Sequence, residues 1–213
     1  MLAIASQAKL IVQGGRAARE LGDADRVVVF VHGFLASGAV FDPMRDRIAR
    51  VVSAPSVEFT YPPLGTVESI AARLTKFVAR KVPRGTRVSL VGHSLGGIVA
   101  RWYVQELGGQ ERVDRLVLLA TPHAGTRGAR FSPGRLGAAL RPESALVRRL
   151  AERRNVARDI PHVAIVAGAD MMVTPPSSAA AIDGADVIWF PSLGHNALLF
   201  DRHVHDAVAN ALR

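Results

Sequence analysis

The chain has 213 residues, of which 49% are hydrophobic and 21% charged, as expected for one globular domain rather than a disordered chain. It contains no cysteine, which excludes disulfide bonds and thiolate metal sites. The net charge is +9, yet no basic stripe alternates with aromatic residues, so we expect no nucleic-acid partner.

Short apolar runs rich in β-branched residues alternate with longer helical patterns. The N-terminal segment, through about Gly22, predicts a helix on the outside of the protein. The predicted strands are Arg26–Val31, Ser56–Tyr61, Arg87–Val91, Asp114–Ala120, His162–Ala167 and Asp186–Phe190. The predicted helices are Ala39–Val52, Val67–Val82, Leu95–Leu107, Glu143–Arg154 and Asn196–Ala211.

Nearly continuous apolar strands are typical of a parallel sheet that helices cover on both faces. The alternation of strands and helices predicts βαβ units with a functional crevice at the carboxyl ends of the strands. We expect residues 1–213 to form a single domain. Residues Met1 to Ala8 lack the leading positive charge of a signal peptide, and the longest apolar runs are shorter than a membrane span. We therefore expect a cytoplasmic protein.

Residues 127–159 form the irregular part of the pattern, with several glycines and prolines ahead of one helical stretch. The segment is either a long connection or a cap-like cover over the substrate. It holds nine of the 24 arginines against two glutamates. Four of them fall on the predicted helix near the expected mouth of the cleft: Arg148, Arg149, Arg153 and Arg154. This charge reflects either arginine-rich composition or a surface that steers anionic substrates or makes weak contact with an anionic membrane.

The most informative stretch is Val91-Gly92-His93-Ser94-Leu95-Gly96-Gly97, where a predicted strand ends in Gly-x-Ser-x-Gly and a helix follows. Such a turn holds a serine on a strained backbone, with its hydroxyl exposed above the sheet. Gly92 and Gly96 leave room where the two arms of the turn nearly touch. The pattern therefore predicts that Ser94 is a nucleophile at a helix N-terminus.

A serine hydroxyl needs an imidazole to accept its proton, and the imidazole needs a carboxylate to fix its tautomer. Asp170 and His195 each come shortly after a later predicted strand. The chain order serine, aspartate, histidine is the one that accompanies such a turn, so we predict Ser94, Asp170 and His195 as the catalytic triad. Asp183 and Asp186 are alternatives for the acid, although they lie on the approach to the last strand.

An oxyanion formed at the substrate carbonyl needs two backbone donors. One is expected from the N–H of Leu95, directly after the nucleophile. The other is expected from the loop Val31-His32-Gly33-Phe34, through the Phe34 N–H, because Gly33 lets that backbone approach closely.

The remaining histidines are expected to support the structure. His32 and His93 lie within the two turns and are predicted to orient their loops, whereas His123 is predicted to line the cleft. Packing or surface positions are expected for His162, His203 and His205. No cluster of His, Asp or Glu has the spacing of metal ligands, so we expect neither a metal nor a cofactor.

The chain resembles the lipase and esterase branch of the α/β-hydrolase family, particularly bacterial triacylglycerol-lipase-like proteins. The resemblance spans about Val27 to Asp201 and is carried by four stretches: Val31-His32-Gly33-Phe34, Gly92-His93-Ser94-Leu95-Gly96-Gly97, Thr121-Pro122-His123-Ala124-Gly125-Thr126 and Gly194-His195-Asn196-Ala197-Leu198-Leu199. It implies a three-layer α/β-hydrolase sandwich with a mostly parallel sheet of about six strands. It also implies carboxylic-ester hydrolysis through an acyl-serine intermediate. The chain departs from larger lipases in lacking a long lid, cysteines and a recognisable calcium site.

We therefore expect a serine esterase or lipase that acts on a small-molecule or lipid ester with an apolar acyl group. Residues that are candidates for the substrate pocket are Leu35, His123, Met171, Met172 and Leu198, together with Phe34 and Leu199. Acyl transfer and thioester hydrolysis use the same residues and remain alternatives. A non-catalytic binding protein of the same fold would be expected to have a broken triad or oxyanion loop.

Overall fold

A parallel sheet forms the centre of the computed structural model, which describes residues 21, 24–132 and 134–213. The strands of the described residues are β1 (Arg26–Val31), β2 (Ser56–Phe59), β3 (Arg87–His93), β4 (Val113–Leu119), β5 (His162–Ala167) and β6 (Ala185–Phe190). They lie in the order β2-β1-β3-β4-β5-β6, and every neighbouring pair is parallel. The helix predicted for the N-terminal segment through Gly22 lies, apart from Leu21, outside the described residues.

Helices connect the strands and cover the sheet. They are α1 (Asp42–Ile48), α2 (Val67–Lys81), α3 (Leu95–Glu106), α4 (Gly134–Ala139), α5 (Ala145–Glu152) and α6 (Arg202–Ala211). Short 3₁₀ turns fill several of the connections. Within the described part of the chain, no helix combines the length and apolar character needed to span a membrane.

The two faces of the sheet belong to two separate hydrophobic clusters. Val27 and Val29 of β1 pack in a cluster with residues of α2, α3 and α5. Val28 and Phe30 point the other way and pack with residues of α1 and α6. Side chains alternate between the faces of a strand, so β1 is apolar throughout because helices cover both of its faces. The predicted three-layer α/β class is confirmed.

Local capping explains where the helices differ from the predicted bounds. The side chain of Ser144 accepts a hydrogen bond from the Val147 N–H at 3.2 Å, so α5 begins after it. The Asp201 carboxylate accepts hydrogen bonds from two N–H groups of the first turn of α6. The helix predicted from Asn196 therefore begins at Arg202, after a separate 3₁₀ turn over Ala197–Leu199.

The strand register brings the loops of interest to one edge of the sheet. Val31 at the end of β1 is the partner of Gly92 in β3, and Leu119 of β4 is the partner of His93. Ala167 at the end of β5 is the partner of Phe190 at the end of β6. Because all the strands run in the same direction, the segments that follow them emerge together at the carboxyl edge.

We expect Gly96→Ala to destabilise the fold by more than about 3 kcal/mol, because the added methyl group meets backbone rather than a movable side chain. A Cβ at position 96 would overlap the carbonyl oxygen of Val31 and approach that of His32 to 2.5 Å. Chemical denaturation measures the loss. Gly194→Ala is the matched control, because its Cβ would meet only the Ala169 oxygen, at 3.7 Å. Equal, small losses in the two variants would contradict the tight approach at position 96.

Candidate active site

Ser94 occupies the sharp turn between β3 and α3. Its backbone has φ 54° and ψ −122°, a conformation that residues with a side chain rarely adopt. Such strain typically costs about 1–3 kcal/mol and persists only where the surroundings hold it. Here the Ser94 N–H donates to the Leu119 carbonyl at 2.8 Å, and its own carbonyl accepts from the Gly97 N–H at 3.0 Å.

Asp170 and His195 form a buried hydrogen-bonded pair. The Nδ1–H of His195 donates to Oδ2 of Asp170 at 2.7 Å, and the two side chains are 5% and 2% exposed. Oδ1 of Asp170 accepts from the backbone N–H groups of Met172 and Val173, both at 2.8 Å. With Nδ1 carrying the proton, Nε2 of neutral His195 remains as the basic nitrogen.

Ser94 and His195 line the same cavity, which has a volume of about 220 Å³. The other residues of this cavity are Gly33, Phe34, Leu35, Ala36, Val40, His93, Met172, Asn196 and Leu199. The sequence therefore places the three predicted triad members on segments that the fold brings to one edge of the sheet.

His93 and His32 hold the backbone around this cavity. Nε2–H of His93 donates to the His195 carbonyl at 3.2 Å, and the two rings lie 4.7 Å apart. The Tyr61 N–H donates to Nε2 of His32 at 3.1 Å, so Nδ1–H of His32 donates to the Gly33 carbonyl at 2.8 Å. Burial lowers the pKa of both histidines, most strongly that of His93, which keeps them neutral and suited to this positioning.

Two backbone N–H groups flank Ser94 without an acceptor among the described residues: those of Phe34 and Leu95. The loop that carries Phe34 lies directly on the turn, because a Cβ at Gly33 would come within 3.2 Å of Ser94 Cβ. Free N–H groups beside a nucleophile are the arrangement that an oxyanion requires.

A second cavity, with a volume of about 260 Å³, opens on the other side of Ser94. Phe34, Ser94 and Met172 line both cavities. The remaining wall of the second cavity is mainly apolar and consists of Leu95, Pro122, Thr126, Gly128, Ala129, Phe131, Ser132, Leu136, Gly137, Leu140, Met171 and Val173. Residues 128–132 and 134–140 therefore cover this cavity, within the segment that the sequence marks as either a connection or a cap.

The structure brings only some of the predicted pocket residues to these cavities. Leu35 lines the first cavity, Met171 the second and Met172 both. His123 lines neither, because it is buried and accepts a hydrogen bond on Nδ1 from Arg101 at 3.1 Å. Leu198 also lines neither, since it is fully buried in the core with α1 and α6, and its neighbour Leu199 faces the cavity instead.

Thr126 links two segments of the site by hydrogen bonds, a role that the sequence did not predict. Its hydroxyl donates to the Met172 carbonyl at 2.8 Å and accepts from the N–H groups of Thr174 and Gly128. It thereby ties the loop that carries Asp170 to the segment that covers the second cavity. The signal was its place in the motif Thr121-Pro122-His123-Ala124-Gly125-Thr126. Leu136 and Leu140 were also missed, because nothing in their local sequence separates a cavity wall from core.

The arginine-rich helix does not lie at the mouth of the cleft, contrary to the prediction. Arg149 forms two hydrogen bonds of 3.0 Å with Glu106, the last residue of α3, and Arg153 pairs with the same carboxylate at 3.3 Å. Since α3 starts beside Ser94 and rises about 1.5 Å per residue, these arginines lie roughly 18 Å along that helix from the nucleophile. Arg154 pairs with Asp183 at 2.9 Å. Three of the four arginines are thus paired within the protein.

The alternative acids and the other histidines lie away from Ser94. Asp183 and Asp186 are both exposed, and Asp186 lies on β6. His162 and His205 are buried with a ring nitrogen bonded to a backbone carbonyl, and His203 is exposed. Among the described residues, no three His, Asp or Glu side chains are grouped so that they could hold a metal ion.

Comparisons with known proteins show the family and the fold of the chain. The model of a family described as "Putative serine esterase (DUF676)" matches residues 22–146, more than half of the chain. No curated protein matches this chain.

Solved structures share the fold at low sequence identity. Lipase BlEst2 of Bacillus licheniformis in its mature form is 15% identical with a TM-score of 0.74, covering 93% of this chain and 96% of that one. Lipase B of Aspergillus fumigatus is 14% identical with a TM-score of 0.75, covering 94% of this chain and 55% of that one. A hydrolase of Pseudomonas aeruginosa PA01 is 17% identical with a TM-score of 0.68, covering 92% of each chain. The likeness shows that the fold is that of the α/β-hydrolases.

Acidification below about pH 6.5 is expected to destabilise the protein, because burial lowers the pKa of His32, His93 and His123. The unfolded chain binds protons at the ordinary histidine pKa, whereas the folded protein resists protonation until the pH is lower. The free energy of unfolding therefore falls with pH, by up to about 1.4 kcal/mol per pH unit for each histidine. Denaturant titrations between about pH 5 and 7.5 measure this slope.

His93→Gln is expected to show a shallower slope than the wild type, whatever its stability at neutral pH. His203→Gln is the control, because its side chain is exposed and its loss should leave the slope unchanged. A His93→Gln slope equal to that of the wild type would contradict the neutral, buried state of His93.

Proposed function

Because the chain belongs to the serine esterase family whose model it matches, we propose that it hydrolyses carboxylic esters through an acyl intermediate on Ser94. His195 accepts the proton of the Ser94 hydroxyl as the hydroxyl oxygen attacks the ester carbonyl. Asp170 holds the tautomer of His195 and stabilises the imidazolium that forms. The N–H groups of Phe34 and Leu95 stabilise the oxyanion.

The 2.7 Å hydrogen bond between His195 and Asp170, in a cavity that Ser94 also lines, carries this proposal. A buried imidazole with one nitrogen fixed by a carboxylate has its other nitrogen free for proton transfer. The strained serine at a helix N-terminus supplies the nucleophile, and the free backbone N–H groups beside it supply the oxyanion donors.

The position of His195 supports a proposal for which cavity holds which part of the ester. The leaving alcohol must receive its proton from His195, so the alcohol group lies in the cavity that His195 and Asn196 line. The acyl group then extends into the cavity between Pro122 and Leu136, on the other side of Ser94.

The lining of the acyl cavity favours an apolar acyl chain of medium length. Its volume is about 260 Å³, and a methylene group occupies somewhat less than the roughly 30 Å³ of a water molecule. At least about eight carbon atoms therefore fit. Phe131 and Met171 at its edge are 85% and 89% exposed, so the approach to the cavity is apolar as well.

Ser94→Ala is expected to lower ester hydrolysis by at least about 10⁴-fold, because no other group can form the acyl-enzyme. The measurement is turnover of a chromogenic ester, together with labelling by a fluorophosphonate, which should be lost. Ser53→Ala, at an exposed serine far from the edge loops, controls for a general effect of removing a hydroxyl. Substantial turnover by folded Ser94→Ala would overturn the serine mechanism.

Asp170→Asn is expected to lower kcat on the order of 10³–10⁴-fold, because the amide loses the charge that stabilises the imidazolium. Asp183→Asn and Asp186→Asn, at exposed positions, should change kcat little. The three variants are compared with the same ester at neutral pH. If Asp186→Asn were the damaging change, the acid would be assigned wrongly.

Leu136→Trp is expected to shift selectivity towards short acyl chains, because the larger ring fills the acyl cavity. The ratio of kcat/KM for a p-nitrophenyl octanoate over the acetate should fall about tenfold. Leu64→Trp, at a 70% exposed leucine that lines neither cavity, is the control. An unchanged ratio in Leu136→Trp would place the acyl chain elsewhere. Matching thioesters and added alcohols in the same series separate ester hydrolysis from thioester hydrolysis and acyl transfer.

A further inference from the structure

A third cavity, of about 180 Å³, lies between α3, the end of α5 and the start of β5. It shares no lining residue with the two cavities beside Ser94. Most of its lining residues have polar side chains, and three of them are arginines: Arg101, Arg154 and Arg158. The only carboxylate among its described lining residues is that of Asp183.

Arg101 is a buried cation whose bonds all go to neutral groups. It is 5% exposed and donates to the Gln105 amide oxygen at 3.2 Å, to Nδ1 of His123 at 3.1 Å and to the Leu150 carbonyl at 3.1 Å. No carboxylate of the described residues forms an ion pair with it.

The Asp183 carboxylate, which lines the same cavity and pairs with Arg154, compensates this buried charge only in part and from beyond ion-pair distance. Burial lowers the pKa of Arg101 to about 10, so the guanidinium is still charged at neutral pH. A guanidinium has five N–H donors, and three hydrogen bonds leave about two of them for another acceptor. Burial of Arg101 still outweighs the attraction of Asp183, and an anion in direct contact with the guanidinium would relieve that cost.

The two other arginines are free to turn towards such an anion. The side chains of Arg154 and Arg158 are 58% and 74% exposed, and they pair with the exposed carboxylates of Asp183 at 2.9 Å and Asp159 at 3.5 Å. Exposed ion pairs of this kind contribute little to stability. Exchanging them for contacts with a bound anion therefore costs little.

We propose that this cavity binds a small oxyanion, a phosphate or a carboxylate, on the guanidinium groups of Arg101, Arg154 and Arg158. The planar fork of Arg101 suits two oxygens of such a group, and the rim arginines supply further charge-assisted hydrogen bonds. Arg101 and Gln105 also bond the same Leu150 carbonyl, so a bound anion strengthens the junction between α3 and α5.

The test is the thermal midpoint and isothermal titration of the purified protein with inorganic phosphate, at ionic strength held constant with sodium chloride. The expected result is a saturable rise of the midpoint at low millimolar phosphate and a matching binding isotherm. A parallel titration with acetate identifies which oxyanion the cavity binds. If acetate competes with phosphate, the cavity also accepts a carboxylate. If acetate does not compete, the cavity binds phosphate alone. No saturable effect of phosphate beyond that of sodium chloride would overturn the proposal.

The double variant Arg154→Gln with Arg158→Gln is expected to bind phosphate about tenfold or more weakly, because two charge-assisted contacts are lost. Both side chains are exposed, so the fold should survive. The control is Arg135→Gln with Arg148→Gln, two exposed arginines that line none of the three cavities. It removes the same charge and should bind like the wild type. Wild-type affinity in the rim variant, or an equal loss in the control, would overturn the proposal.

Discussion

The close backbone approach at Gly96 is the constraint on which the candidate site depends. There the first turn of α3 rests on the carbonyl oxygens at the end of β1, with no space for a Cβ. This contact holds the start of α3 against β1, two residues after the strained backbone of Ser94. It also brings the loop that carries Phe34 against the turn. The nucleophile and its two candidate oxyanion donors therefore lie at one packing contact between the start of α3 and the end of β1.

The acid and base side of the site depends on hydrogen bonds rather than on close packing. Asp170 is held by two backbone N–H groups and by His195, while His93 holds the backbone of His195. Thr126 links this side to the segment that covers the second cavity. The apolar cover and the triad loops are thus coupled through short bonds, so a change in one is expected to reach the other.

The local sequence pattern predicts an element correctly where residues within that element determine its bounds. Strands β1 and β5 have the predicted bounds, because their apolar runs end in polar or glycine residues. The local pattern predicts a position wrongly where a residue distant in the sequence determines it. His123 follows a strand at the expected edge, yet Arg101 holds it inside. The arginines of α5 were misplaced because Glu106, far away in sequence, pairs with them. Such contacts carry no signal in the local sequence.

The central claim is that Ser94, the Phe34 and Leu95 N–H groups and the apolar cavity lined by Leu136 and Leu140 act on one ester together. A crystal structure of the protein labelled with an octyl phosphonate tests it most directly. The account predicts phosphorus bonded to Ser94 Oγ, a phosphonyl oxygen about 2.7–3.1 Å from both N–H groups, and the alkyl chain beside Leu136. Phosphonate on another residue, or an oxygen pointing away from both N–H groups, would contradict it.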